Sequence, residues 1–215
     1  MLQFITHPSS RMTIEEEIQR VVDGGCKWVQ LRMKDAPREE IIATAKRAKE
    51  ICAAAEECIL VIDDYVDIAK ELELDGVHLG KNDMDPTEAR EMLGGDFIIG
   101  ATANTFDDIQ KLRHLDIDYI GLGPMRFTTT KERLSPVLGL DGYRDIIGKM
   151  KDASINLPVV AIGGITYDDI EDVMATGVRG IAVSGSLINA DDMTAHTAKM
   201  VGLLEKIVER QYLEK

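Results

Sequence analysis

Val159-Val160-Ala161-Ile162-Gly163-Gly164-Ile165 decides the fold. Four apolar residues in a row, with no polar alternation, predict a strand buried on both faces, the pattern of a parallel sheet. A glycine pair ends it, and Thr166 then predicts the N-cap of a helix over residues 168–174. Glycines at a strand's end let backbone N–H groups approach a ligand, and a helix N-terminus attracts anions. About twenty residues on, a similar unit reads Gly180-Ile181-Ala182-Val183 followed by Ser184-Gly185-Ser186. Either turn alone reads equally well as an ordinary tight turn. Two in succession near the C-terminus predict the phosphate site that follows strands seven and eight of a (β/α)₈ barrel.

Working back toward the N-terminus, six more apolar runs precede this pair. They are Leu2–Thr6, Trp28–Leu31, Ile59–Ile62, Gly76–Leu79, Phe97–Gly100 and Tyr119–Gly121. Helical patterns separate them. Thr13-Ile14-Glu15-Glu16 opens one as a capping box, Pro37 opens a long second helix, and Asp85-Pro86 opens another. Strand and helix alternate eight times with no linker, which predicts a single-domain α/β TIM barrel over residues 1–215. An open doubly wound sheet would place a Gly-rich phosphate loop after strand one, and Thr6-His7-Pro8-Ser9 is not one.

The net charge of −13 disfavours non-specific binding to nucleic acid or an anionic membrane. An anionic substrate therefore needs a local basic cluster or a metal ion. Cys26, Cys52 and Cys58 lack metal-binding spacing and cannot all pair, so they read as reduced thiols of a cytoplasmic protein. The N-terminus has no basic segment and no apolar run of signal-peptide length, and no stretch is long enough for a membrane span. A homo-oligomer is compatible with the sequence, which does not set the oligomeric state.

In such a barrel the residues just past each strand converge on one face. Alternation puts Gln30, Arg32 and Lys34 on the same side after strand two, where one amide and two cations suit a polyanion. Strands three and four deliver Asp63, Asp64 and Asp83. Carboxylates on adjacent strand ends can share one Mg²⁺, which takes one or two carboxylates plus phosphate oxygens. Asp64 and Asp83 also read as helix caps. The connection 122–138 is unusually long for a compact domain and carries Thr128-Thr129-Thr130-Lys131, hydroxyls and an amine able to grip a phosphate. His78 reads as a satisfied core histidine, and no nucleophile–base set stands out. The residues thus predict two anion sites, one metal-assisted at strands two to four and one metal-free at strands seven and eight.

These segments resemble the thiamine phosphate synthase (thiamine-phosphate pyrophosphorylase) family. The resemblance rests on Gln30–Lys34, Ile62–Ala69, Gly76–Met84, Asp118–Pro124, Thr128–Lys131 and Val160–Ile165, in that order, and covers nearly the whole chain. It implies a Mg²⁺-dependent transferase that joins a hydroxymethylpyrimidine diphosphate to a thiazole phosphate, with or without a carboxylate, and releases diphosphate. On that resemblance Gln30, Arg32, Lys34 and Asp63 would bind the pyrimidine diphosphate, with Asp64 and Asp83 on Mg²⁺. Thr128, Thr129, Thr130, Gly163, Gly164, Ser184 and Gly185 would bind the thiazole phosphate, and Lys131 the diphosphate. Arg32, Thr102 and Lys131 would attend a dissociative substitution that needs no general base.

The chain departs from the family at several positions. It has Asp63 for the common Asn, Lys81 for Gln, Thr102 and Asn104 in place of Ser and His, and Arg126-Phe127 for an apolar residue and Pro. A thiazole tautomerase of the same family, or a non-catalytic phosphate-binding regulatory barrel, would have little reason to keep Arg32, Lys34, Asp64, Asp83 and Lys131 together. Other phosphate-binding barrel enzymes need acid–base pairs that are not found.

Overall fold

In the computed structural model, which describes residues 1–127 and 136–213, eight parallel strands close on themselves. They are β1 (Leu2–Ile5), β2 (Trp28–Leu31), β3 (Ile59–Asp63), β4 (Gly76–Leu79), β5 (Ile98–Ala103), β6 (Tyr119–Leu122), β7 (Val159–Ile162) and β8 (Gly180–Val183). β1 pairs with both β2 and β8, which leaves no sheet edge and rules out the open sheet. The helices between them are α1 (Ile14–Asp23), α2 (Arg38–Ala53), α3 (Val66–Glu71), α4 (Pro86–Leu93), α5 (Phe106–Leu112), α6 (Gly139–Asp152), α7 (Ile170–Ala175), α8 (Gly185–Ile188) and α9 (Met193–Leu213). No helix among the described residues is long and apolar enough to cross a membrane.

Strand alternation divides the apolar residues in two. Phe4, Val29, Leu31, Leu60, Ile62, Val77, Leu79, Ile120 and Ala161 face the helices and form the large outer core. Ile5, Trp28, Tyr119, Val160 and Ala182 fill the barrel's interior. Trp28 meets the Tyr119 ring edge-on at 4.7 Å. These apolar side chains share the interior with the buried polar side chains of Gln3, Gln30 and His78 from the same and neighbouring strands.

Helix starts follow the sequence. Thr13 and Glu16 form a capping box on α1, and Asp85 caps α4. Three elements differ from expectation. β5 runs on to Ala103, because the missing side chain at Gly100 leaves room for the Tyr119 ring and pairing with β6 continues. Thr166 caps a 3₁₀ turn, Tyr167–Asp169, and α7 proper starts only at Ile170. After β8 the chain turns into α8, a short extra helix whose first bonds run from Leu187 and Ile188 N–H to the Ser184 carbonyl.

Candidate active site

The ends of β2, β3 and β4 bring their polar side chains to one point. Gln30 Nε2 donates to Asp63 Oδ1 at 2.8 Å, both groups buried. Arg32 Nε and Lys34 Nζ lie 3.8 and 3.5 Å from Asp63 Oδ2, and Lys34 Nζ lies 3.7 Å from Asp83 Oδ2. Asp63 is therefore the counter-ion that gathers both cations. Gln30 has one group left over: its Oε1 is buried and accepts no hydrogen bond among the described residues. A buried acceptor of this kind is costly unless something donates to it.

Neither Asp64 nor Asp83 caps a helix. Tyr65 stands at the N-cap of α3 without a side-chain bond, and α4 is capped by Asp85. Asp83 Oδ2 instead accepts from Gly80 N–H at 2.6 Å, closing the turn after β4. Asp64 holds a left-handed backbone with φ 75°, its N–H donating to the His78 carbonyl. Non-glycine residues in that region cluster at functional sites. Partial burial raises the Asp64 carboxyl above its usual range, and the charge of Asp83 raises it further. Asp64 and Asp83 repel one another, and no group of three or more His, Cys, Asp or Glu able to hold a metal ion is found among the described residues; two carboxylates are a donor set Mg²⁺ accepts only with the rest of its shell supplied from outside the protein.

Across the interior runs a hydrogen-bonded chain that the sequence did not disclose. Gln3 Nε2 donates to Tyr119 Oη at 3.2 Å, His78 Nδ1 lies 2.9 Å from Tyr119 Oη, and His78 Nε2 lies 2.9 Å from Thr102 Oγ1. Burial pushes the Tyr119 hydroxyl's pKa up, so it stays protonated. Having accepted from Gln3, it donates to His78 Nδ1. The neutral ring then donates from Nε2 to Thr102, whose own proton is left for the mouth. His78 is satisfied, as its sequence context predicted, but it also orients Thr102. Asn104 turns away to donate to the Gly123 carbonyl at 2.6 Å, and Lys81 is engaged by Asp108 at 2.6 Å.

On the opposite side, Gly163 and Gly164 follow β7 with φ 100° and 73°. Both need glycine for that conformation and for space. A Cβ on Gly163 would lie 2.6 Å from Pro124 Cβ, and one on Gly164 2.5 Å from Arg126 Cγ. The glycines thus admit the neighbouring chain closely. Beside them, the Ser184 and Ser186 hydroxyls are buried without hydrogen-bond partners among the described residues. Ser186 stands in the same Ser-Gly-Ser run as Ser184 and Gly185. Gly185 opens α8. Thr128, Thr129, Thr130 and Lys131 lie outside the described residues.

Comparison with known proteins follows the same lines. The family described as thiamine monophosphate synthase matches residues 2–187. The thiamine-phosphate synthase of Bacteroides thetaiotaomicron is 54% identical over 202 residues, covering 94% of this chain and 96% of that protein. That of Bacteroides fragilis is 52% identical, covering 94% and 98%. A solved structure, the thiamine phosphate pyrophosphorylase of Pyrococcus furiosus, aligns with a TM-score of 0.84 at 31% identity and covers 96% of each chain.

Proposed function

Because the chain belongs to the thiamine monophosphate synthase family, we propose that its barrel mouth holds a pyrimidine diphosphate at β2–β4 and a thiazole phosphate at β7–β8. The activity is that of a thiamine-phosphate synthase, a transferase that couples the pyrimidine to the thiazole phosphate. One observation carries the division of the mouth. Among the described residues, Gln30 Oε1 is a buried acceptor without a partner beside the cations, and Ser184 and Ser186 carry buried hydroxyls without partners at the other strand pair.

Gln30 Oε1 accepts from the aminopyrimidine's N–H, and Gln30 is held for this by the hydrogen bond its Nε2 donates to Asp63. With Asp63 in place of the family's Asn, the substrate's amino group meets a second acceptor. That acceptor also spaces Arg32 and Lys34 so that both reach the diphosphate. Thr102 donates its proton toward the pyrimidine, its orientation fixed by His78 and Tyr119. Asp64 and Asp83 would hold Mg²⁺, which when bound offsets charge on the departing diphosphate.

Ser184, Ser186 and the backbone at Gly163, Gly164 and Gly185 take the thiazole's monophosphate, with Thr128, Thr129 and Thr130 from the connecting loop. Lys131 of that loop serves the diphosphate. The C–O bond from the pyrimidine's methylene to the diphosphate breaks, and the diphosphate leaves with the electron pair. The thiazole nitrogen's lone pair then forms the new C–N bond. No proton moves in either step, so no general base is required, and the mouth's task is positioning and electrostatic stabilisation. Small molecules are the partners on this reading, and its setting is cytoplasmic, consistent with three unpaired cysteines.

The test is to incubate the purified protein with both substrates, with and without Mg²⁺. Thiamine phosphate and diphosphate should appear in equal amounts when the metal is present. Absence of both would sink the reading.

A further inference from the structure

Arg126 stands where the connection leaves β6, outside every role assigned above. The backbone here extends the β6–β7 pairing: Met125 N–H donates to the Ile162 carbonyl at 2.9 Å and Arg126 N–H to the Gly163 carbonyl at 3.0 Å. The guanidinium then reaches further along the β7 loop. Nη1 donates to the Gly164 carbonyl at 2.7 Å and to Asp169 Oδ2 at 2.6 Å, and Nη2 donates to Asp169 Oδ1 at 2.7 Å. Asp169 Oδ2 in turn accepts from Thr166 N–H and Thr166 Oγ1, both at 2.8 Å. One cation and one carboxylate thus bracket the loop, holding the carbonyl of Gly164 and the amide of Thr166.

This arrangement is poorly explained as a stability device. The pair is half-exposed on the arginine side, and surface ion pairs add little to stability. A two-pronged Arg–carboxylate pair is geometrically strict, however. Fixing the Gly164 carbonyl fixes the peptide plane that it shares with Ile165, so the Ile165 N–H points away from the guanidinium. Glycine 164, free to rotate in an isolated chain, is left with one orientation, and the arginine stem occupies the space where its side chain would be.

We infer that Arg126 is a positioning residue that, with Asp169, fixes the Gly163–Thr166 backbone for the acceptor's monophosphate without touching it. The inference rests on the proposed placement of the thiazole phosphate at this loop. Its specific content is that acceptor affinity depends on the Arg126–Asp169 bond rather than on the arginine's charge.

The variants are Arg126→Met, Arg126→Lys, Asp169→Asn and the Arg126→Met/Asp169→Asn double, each first checked for an unchanged melting temperature. Rates are measured with each substrate varied in turn. Arg126→Met should raise KM for the thiazole phosphate about tenfold, with KM for the pyrimidine diphosphate and kcat within about twofold. Asp169→Asn should do the same, and the double variant should be no worse than either single one. Arg126→Lys, which keeps the charge but loses the fork, should also be impaired.

If the guanidinium bound the phosphate directly, Asp169→Asn would free it and lower that KM, which would overturn the inference. So would wild-type acceptor KM in Arg126→Met. A readout without substrates separates this from the function itself: amide hydrogen exchange at Gly164–Thr166 should quicken about tenfold or more in Arg126→Met. Unchanged exchange would overturn the positioning role. A wild-type protein that makes no thiamine phosphate would instead refute the proposed function, with the exchange comparison still deciding the clamp.

Discussion

Replacing Glu17 by Gln should change how stability depends on pH, and by a calculable amount. Glu17 lies on α1 and is fully buried against the segment that follows β1. Its Oε2 accepts from His7 N–H at 3.3 Å. Burial raises its pKa from the ordinary 4.5 to about 7, hydrogen bonds from the His7 N–H and the Ser9 hydroxyl only partly opposing this. Between those values the folded chain keeps a proton that the unfolded chain has lost. Glu17's contribution to stability is therefore greatest at low pH, falls as pH rises through this window, and levels off above it. From 4.5 to about 7, at about 1.4 kcal/mol per pH unit, the loss is about 3 kcal/mol.

Nearby His7 works the other way. Burial and then the charge of Arg32 lower its pKa, so its contribution is lost as pH falls below its ordinary value of 6.5. Subtracting the variant from the wild type removes that term to first order, since both keep His7. The assay is urea unfolding of wild type and Glu17→Gln at intervals from pH 4.5 to 8. The variant should gain about 3 kcal/mol relative to wild type across the window, with turnover retained. Parallel curves, or a relative gain on acidification, would refute a buried, neutral Glu17.

Other consequences follow from the interior chain and the acidic pair. Tyr119→Phe removes the hydroxyl that joins Gln3 Nε2 to His78 Nδ1 in the barrel interior, and should cost about 1–3 kcal/mol by chemical unfolding. Thr102→Val removes the hydroxyl that His78 orients. It should lower kcat about tenfold or more while leaving KM for the thiazole phosphate unchanged; an unchanged kcat would show that Thr102 only completes the chain. Asp83→Ala should abolish the response of turnover to added Mg²⁺ with circular dichroism preserved, and retained response would reduce Asp83 to the acceptor of the Gly80 turn.

The barrel was legible because its signal is local and repeated. Runs such as Ile59–Ile62 and Val159–Ile162 lack polar alternation, and each is followed by a helical pattern. The closure of β1 on β8 then follows from the number of units. Gln30, Arg32 and Lys34 were legible as a group because a two-residue period fixes their common side. Asp63's part in gathering them was not, since it needs the distances between strands. The Gln3–Tyr119–His78–Thr102 chain joins residues up to 116 positions apart, and a single polar residue in a strand carries no mark of its partner. Likewise, that the space beside the Gly163 and Gly164 backbone is taken by Pro124 and Arg126 from the next connection has no local signal in the sequence. Arg126 stood out only as a departure from the family pattern. Its meaning lies in Asp169, 43 residues away.

The division of the mouth into two anion sites is tested most directly by one pair of variants in a two-substrate kinetic matrix. Lys34→Ala removes a cation gathered by Asp63 and Asp83, and should raise KM for the pyrimidine diphosphate about tenfold while leaving KM for the thiazole phosphate within about twofold. Ser184→Glu puts a negative charge beside the glycine loop, and should do the reverse. If either variant raised both constants equally, or if the two exchanged substrates, the placement of the donor's diphosphate at β2–β4 and the acceptor's phosphate at β7–β8 would be wrong.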